Sequence, residues 1–310
     1  MNSKFFLFEH FPDCRHPTFD WESHNEIFKK RNVIFRAKTR YADFPEHWGC
    51  LSVKTVATGM ETFLIENESF ILNNEKYLVL NEGQYYGSHV ESEKEVQSFT
   101  INFSQAFVRE AMSAMSGDTT QLLDDPFLET PVMPEFVQYF YEHDVVVTPL
   151  IQKIRLLSDN FSEHQYQIED SYYQLFQALL LKKEEVSRFI QKTPALKKST
   201  QVELFRRLAR AKDYMDSHFA KPLSLEELAQ VACLSTFHFL SCFKTLHGLT
   251  PYQYLTQVRL RQAKNLLTIS DNSVQQVCHA VGYEDISSFS KLYKKTFGVP
   301  PSKTEKIATN

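Results

Sequence analysis

Few residues of this 310-residue chain have the type and spacing for covalent chemistry. His89-Val-Glu91 comes nearest to a metal-ligand set, but it lacks a second histidine to complete the coordination. His47 beside Trp48 reads more simply as a hydrogen-bonded structural histidine than as part of a pocket. No phosphate-cradling glycine loop, GxSxG elbow or HExxH helix is present, and eight glycines leave little material for a nucleotide loop. Cys14, Cys50, Cys233, Cys242 and Cys278 are odd in number and form no CxxC pair. They suit buried thiols in a reducing cytoplasm, with a thiol sensor as the other option. These features argue against an enzyme and imply no metal or other cofactor. The chemistry left is non-covalent, hydroxyls and amines placed to donate hydrogen bonds, and it concentrates in a segment that the chain writes twice.

The first copy runs from Ser224 to Pro251 and the second from Ser273 to Pro301. Leu225, Leu228, Ala229 and Leu234 recur 49 residues on as Val274, Val277, Cys278 and Tyr283. After a one-residue insertion, Phe239, Phe243, Lys244, Gly248 and Pro251 recur 50 on as Phe289, Tyr293, Lys294, Gly298 and Pro301. Each copy opens on a capping-box pattern, Ser224-x-x-Glu227 and Ser273-x-x-Gln276. A turn follows, with Gly282 in the second copy where a left-handed backbone is expected. Ser235 and Asp285 then cap second helices that bury Phe239 with Phe243, and Phe289 with Tyr293. Thr250-Pro251-x-Gln253 starts a further helix over 252–269 that joins the copies. Such a helix spans about 27 Å, a spacer suited to two helices entering successive major grooves roughly 34 Å apart. Two helix-turn-helix units on one chain read as a module for double-stranded DNA.

With its doubled motif, the linker RLRQAKNLL and the run VGYEDISSFSKLYKKTFGVPP, the chain resembles the AraC/XylS family of bacterial transcription regulators over about residues 200–303. The resemblance implies that the first reading helix presents Phe237, Leu240 and Ser241, with His238 nearby, and the second Ser287, Ser288, Ser290 and Lys291. Hydroxyls bond several base edges, Lys291 suits guanine O6 and N7, and Phe237 suits a thymine methyl. Core packing is the competing role for Phe237 and Leu240. Lys244, Lys294 and Lys295 look like phosphate contacts, which position without specifying. Arg259 reads as an internal salt bridge or a DNA contact. Two positions depart from the family pattern: Ser241 and Cys242 stand where many members are basic, and Ser302-Lys303-Thr304 replaces a common Tyr-Arg. The resemblance also implies a homodimer that places RNA polymerase at a promoter, activation being favoured over repression.

Charge divides the chain along the same line. Residues 197–310 carry 16 basic against 9 acidic residues, while the whole chain has a net charge of −4. A positive module on an acidic chain fits phosphate attraction. There is no run of 18 apolar residues and no basic segment leading into an apolar one, so neither a membrane span nor a signal peptide is expected. The organisation expected is α+β: an effector-binding or dimerisation domain over 1–192, a linker over 193–200 containing Pro194, and the DNA-binding domain over 201–310.

Within the first domain an antiparallel barrel or jelly-roll, cupin-like by the resemblance, is expected over 45–104. There Phe99, Ile101 and Phe103 alternate with Ser98, Thr100 and Asn102. Strands at 63–65, 70–72 and around Tyr77 and Val79 accompany a Glu82-Gly83 turn. Helices are expected over 106–115, 135–143, 148–161 and 169–191. The last carries an apolar stripe of Tyr172, Leu175, Phe176, Leu179, Val186, Phe189 and Ile190, which either packs on its own domain or dimerises. Trp48, Tyr85, Tyr86 and Phe99 are the residues proposed to line an effector pocket for a small molecule. A ligand-free dimerisation or protein-interaction module is the alternative role for this domain.

Overall fold

The computed structural model describes residues 4–116, 133–192, 197–269 and 272–304. The expected linker falls partly outside them, Pro194 included. Two compact units divide the chain, Met1–Val186 and Ser187–Asn310.

The first unit is built on eight strands: β1 Phe5–Phe8, β2 Asn32–Trp48, β3 Ser52–Thr58, β4 Glu61–Ile65, β5 Glu68–Leu72, β6 Lys76–Leu80, β7 Tyr85–Asn102 and β8 Phe140–Glu142. They hydrogen-bond in the order β1-β2-β7-β3-β6-β8, with the β4–β5 hairpin branching from β7. Glu66 and Asn67, both at positive φ, make the two-residue turn of that hairpin. The hub is β7, whose 18 residues pair with β2 along both halves, with β4 along the first and with β3 along the second. Register breaks between Thr39 and Tyr41 and between Phe44 and His47 bend the long β2–β7 ladder.

The closed antiparallel barrel expected from the sequence does not form. No pairing among the described residues joins β1 to β8, and β1 runs parallel to β2. A parallel pair needs a crossover, supplied here by a segment that includes helix α1, Trp21–Lys30. A second correction concerns 135–143, where irregular chain leading into β8 replaces the expected helix. Its aromatic side chains prefer a pleated surface, and Tyr141 pairs with and stacks on Tyr77 at 5.3 Å while Phe140 meets Phe70 at 5.6 Å.

Helices α2 Gln105–Ser116, α3 Val147–Leu157 and α4 Gln165–Ile190 complete the unit, the end of α4 passing into the second. Tyr172 and Phe176 of α4 pack on Phe103 at 5.3 and 5.8 Å and on Phe107 at 5.9 Å each. This part of the α4 stripe is therefore covered by its own unit. The polar residues of β7 that alternate with Phe99, Ile101 and Phe103 are buried as well. They face the concave side of the sheet, and the half-buried pattern in the sequence has two buried faces.

The second unit is helical: α5 Lys198–His218, α6 Leu225–Val231, α7 Thr236–His247, α8 Pro251–Ile269, α9 Val274–Ala280 and α10 Ile286–Phe297. Its second half closes over Leu260, Ala263, Leu267, Val277, Cys278, Phe289 and Tyr293, all buried.

Candidate nucleic-acid interface

The turns that set α7 after α6, and α10 after α9, have the same hydrogen bonds 49 residues apart. Leu234 N–H donates to the Ala229 carbonyl at 2.9 Å and Cys233 N–H to Gln230 at 2.9 Å; Tyr283 donates to Cys278 at 3.0 Å and Gly282 to His279 at 3.0 Å. Both are Schellman motifs, which need a left-handed residue just past the helix. Gly282 takes φ 81°, and Cys233 takes φ 51° in spite of its side chain. Only the glycine was legible as a turn signal.

The caps differ in one respect. Ser273 and Gln276 form the expected reciprocal box, with bonds of 3.2 and 2.8 Å. At α6, Ser224 accepts from Glu227 N–H at 3.0 Å, but the Glu227 carboxylate accepts from the Tyr214 hydroxyl at 2.7 Å. The expected first box is therefore one-sided, because an α5 tyrosine supplies a charge-assisted bond instead. Ser235 accepts from His238 N–H at 3.4 Å, and Asp285 from Ser287 and Ser288 N–H at 3.2 and 2.8 Å. Bonds from Ser288 and Ser287 hold the Asp285 carboxyl below its ordinary range.

These caps present equivalent faces. Phe239, Cys242 and Phe243 are buried in α7, as are Phe289 and Tyr293 in α10. Phe237, His238, Ser241 and Lys244 are exposed, and so are their counterparts Ser287, Ser288, Lys291 and Lys294, with Lys295 beside them. Leu240 and its counterpart Ser290 are half-buried at the edge of the face. Phe237 is 83% exposed, which removes the core-packing alternative for it. Cys242 points inward and takes no part in the exposed face. Among the described residues none of the four lysines forms an ion pair, leaving three donors on each ammonium.

Among the described residues Arg259 makes no salt bridge. Its guanidinium donates to the carbonyls of Phe219 and Lys221 at 2.7 and 2.8 Å and lies 5.5 Å from the Tyr283 ring. The α8 start carries its expected reciprocal cap, Gln253 N–H to Thr250 Oγ1 at 3.3 Å and Thr250 N–H to Gln253 Oε1 at 2.9 Å.

In the first unit the concave face of the sheet holds a cavity of about 50 Å³. Tyr86 lines it, while Trp48 lines a smaller neighbouring cleft. Tyr85 is exposed, and Phe99 lies buried under Arg155, 5.7 Å from its ring, so neither joins them. The sequence reading missed the two charges in the cavity, Lys54 and Glu61, 6% and 5% exposed. The available signal was a single charge at the start of each of two apolar strands. Lys54 Nζ donates to the Tyr86 hydroxyl at 2.8 Å, and Glu61 accepts from Ser98 Oγ at 2.6 Å. Burial pushes the Glu61 carboxyl up, while Ser98, Lys54 and Ser88 pull it back. His47 is held down at about 4, chiefly by burial and further by the charges of Lys54 and His24, against the Pro45 carbonyl. Among the described residues no three His, Cys, Asp or Glu side chains gather as a metal site, and no helix is long and apolar enough to cross a membrane.

A helix-turn-helix domain family matches residues 228–307, so the second unit defines a helix-turn-helix protein. The MmsAB operon regulatory protein of Pseudomonas aeruginosa is 44% identical over 89 residues, 29% of this chain and 29% of that protein. The transcriptional activator RhaS of Escherichia fergusonii is 34% identical over 117 residues, 36% of this chain and 42% of that one. A solved AraC-type regulator from Chromobacterium violaceum is 28% identical, with a TM-score of 0.31, over 32% of this chain and 88% of that one. The chain thus spans less than half the length of either relative. Over this domain the chain is similar to transcription regulators of the AraC/XylS family.

Proposed function

We propose that the chain binds double-stranded DNA by seating α7 and α10 in adjacent major grooves, and that it regulates transcription from the sites it reads. The observation that carries this reading is the recurrence of one exposed face on both helices, behind the same Schellman turn. A face of Phe237, His238, Ser241 and Lys244 offers an apolar ring, an imidazole, a hydroxyl and an ammonium. Its counterpart of Ser287, Ser288, Lys291 and Lys294 is more polar, so the two grooves would be read differently. At 19 residues α8 is about 28 Å long, close to the spacing of successive grooves on one side of a duplex. Activation, a homodimer on direct-repeat half-sites and contact with RNA polymerase complete the proposal. RhaS, an activator by name, supports the sign of regulation. The first unit is the controlling part: a ligand there favours one arrangement of the chain over another through differential affinity.

Selection of bound sequences from random duplexes by the full-length chain, at stated salt, tests this. Two half-sites about 10 bp apart are expected within each subunit's footprint, and a doubled footprint for a dimer. Recovery of a single half-site would leave α10 or α7 without a groove. Absence of any enriched sequence would remove the function altogether.

A further inference from the structure

We propose that Phe189, in the last turn of α4, positions the reading helix α7 and so sharpens recognition in one groove while leaving the other unaffected. This deepens the proposed function and rests on α7 and α10 each occupying a groove.

Phe189 belongs to the apolar stripe of α4, yet it is not used as the rest of the stripe is. Tyr172, Leu175 and Phe176 are fully buried in the first unit, whereas Phe189 is half-buried and falls in the second. Its ring stands perpendicular to Phe205 of α5, centroids 6.1 Å apart, and lies 5.9 Å from the His247 imidazole of α7. Lys192 sits over the same ring at 5.6 Å. His247 in turn lies 4.4 Å from Phe243, which meets Tyr254 of α8 at 5.8 Å. At these separations aromatic pairs attract through edge and face, beyond the gain from burial. The imidazole therefore bridges a ring of its own helix to one that lies before the repeat.

His247 is the final residue of α7, one turn after Lys244, and Gly248 follows at φ 71°. The opposite end of the helix is set by its Ser235 cap and the turn behind it. Phe239 and Phe243 hold the inner face against the core. With 12 residues the helix is about 18 Å long, and the clasp at His247 restrains the end that the turn does not reach. Phe237, His238, Ser241 and Lys244 lie along this rod. A tilt that pivots on the turn moves each of them, by more as Lys244 is approached. Hydrogen bonds to base edges weaken steeply when misaligned, and they carry the sequence information. Loosening the clasp thus costs discrimination by α7.

The second copy ties its reading helix in another way. Phe297 stands where His247 does, 50 residues on. It is met by Tyr293 of its own helix at 4.7 Å and by Lys264 of α8 at 5.0 Å. Both partners lie inside the doubled segment, so removing the Phe189 ring loosens α7 and not α10. General loss of stability does not produce that asymmetry.

The test uses the full-length chain on the duplex recovered by sequence selection, and on two derivatives with one half-site scrambled in each. Phe237→Ala and Lys291→Ala mark the half-sites of α7 and α10 by the positions they relax. Discrimination is the ratio of Kd for scrambled to intact duplex, so a uniform change in affinity cancels. In Phe189→Ala the ratio at the α7 half-site should fall by roughly two- to tenfold, the value of an aromatic contact. The ratio at the α10 half-site should not change, and Phe189→Tyr, which keeps the ring, should restore the first. Thermal melts establish that each variant is folded. Phe189→Leu keeps apolar bulk without the ring and, with the same expected pattern, replaces an alanine variant that fails to fold. Equal losses at both half-sites, or none at either, would overturn the assignment. An unaltered chain that selects no sequence sinks the proposed function and this inference with it. Normal selection followed by either overturning pattern sinks this inference alone.

Discussion

Arg259 donates from Nε to the carbonyl of Phe219 at 2.7 Å, tying the helix between the two repeats to the loop that precedes the first. A second guanidinium nitrogen reaches the Lys221 carbonyl at 2.8 Å, and the same group lies over Tyr283, which follows the second turn. One planar cation thus fixes three segments. A lysine supplies a point charge in place of the fork. Arg259→Lys is expected to lose on the order of 1.5–3 kcal/mol, the value of a charged hydrogen bond. Urea unfolding of the full chain measures it, and an unchanged midpoint would mean that solvent replaces the clasp without loss.

The two left-handed turn residues should respond unequally to substitution. A Cβ built on Gly282 comes within 2.6 Å of the Ala220 carbonyl oxygen, in a backbone at φ 81° that side chains avoid. Gly282→Ala combines that clash with roughly 1 kcal/mol of left-handed strain and should destabilise by at least about 2 kcal/mol. Cys233 already bears such strain at φ 51°. Cys233→Gly relieves it while adding freedom to the unfolded chain, so its net effect should stay within about 1 kcal/mol. Parallel thermal melts of the two variants decide the matter; a Gly282→Ala protein as stable as Cys233→Gly would refute the steric account.

Much of the second unit was legible because its signals are local. Serines, Asp285 and Thr250 cap helices, glycines end them, and the phenylalanine spacing names the buried faces. Even there, tertiary contact altered one detail, drawing Glu227 from its box to Tyr214. The first unit was harder to read because its order is non-local. In β2 the short or polar side chains of Ala37, Thr39 and Ala42 weaken the hydrophobic alternation. The partner that makes the segment a strand lies on β7, dozens of residues away. Ser98, Thr100 and Asn102 looked like a solvent face, although the curved sheet turns them toward a buried cavity. Lys54 and Glu61 escaped notice for the same reason, since nothing in sequence places them in one space.

On DNA, Lys291 should differ from the other lysines. It lies on the exposed stripe of α10 with Ser287 and Ser288, whereas Lys294 and Lys295 occupy the helix's last turn. Lys291→Ala is expected to relax preference at one base position by about 1–3 kcal/mol. Lys244→Ala, Lys294→Ala or Lys295→Ala should weaken binding to all sequences alike and reduce the salt slope by about 1 each. Selected-sequence titrations at several salt concentrations separate these patterns. A uniform loss for Lys291→Ala would move it among the phosphate contacts.

Acid should destabilise the first unit through His47. Its ring lies 4.4 Å from Tyr86 and 5.4 Å from Trp21, and burial holds its pKa at about 4. In the unfolded chain the same imidazole titrates near 6.5. Between those values the unfolded state binds more protons than the native one, so stability rises with pH across this window. The contribution is complete above about 6.5 and is lost as the pH falls toward 4. After solvent screening the loss should be on the order of 1–2 kcal/mol, and His24, also held down by burial, adds in the same direction. His47→Gln removes the titration while keeping a group that can donate to the Pro45 carbonyl, which the imidazole meets at 2.9 Å. Unfolding of both proteins from pH 7.5 to 4.5 should therefore give a flatter profile for the variant. Parallel profiles would mean that His47 is already solvated and carries none of the acid sensitivity.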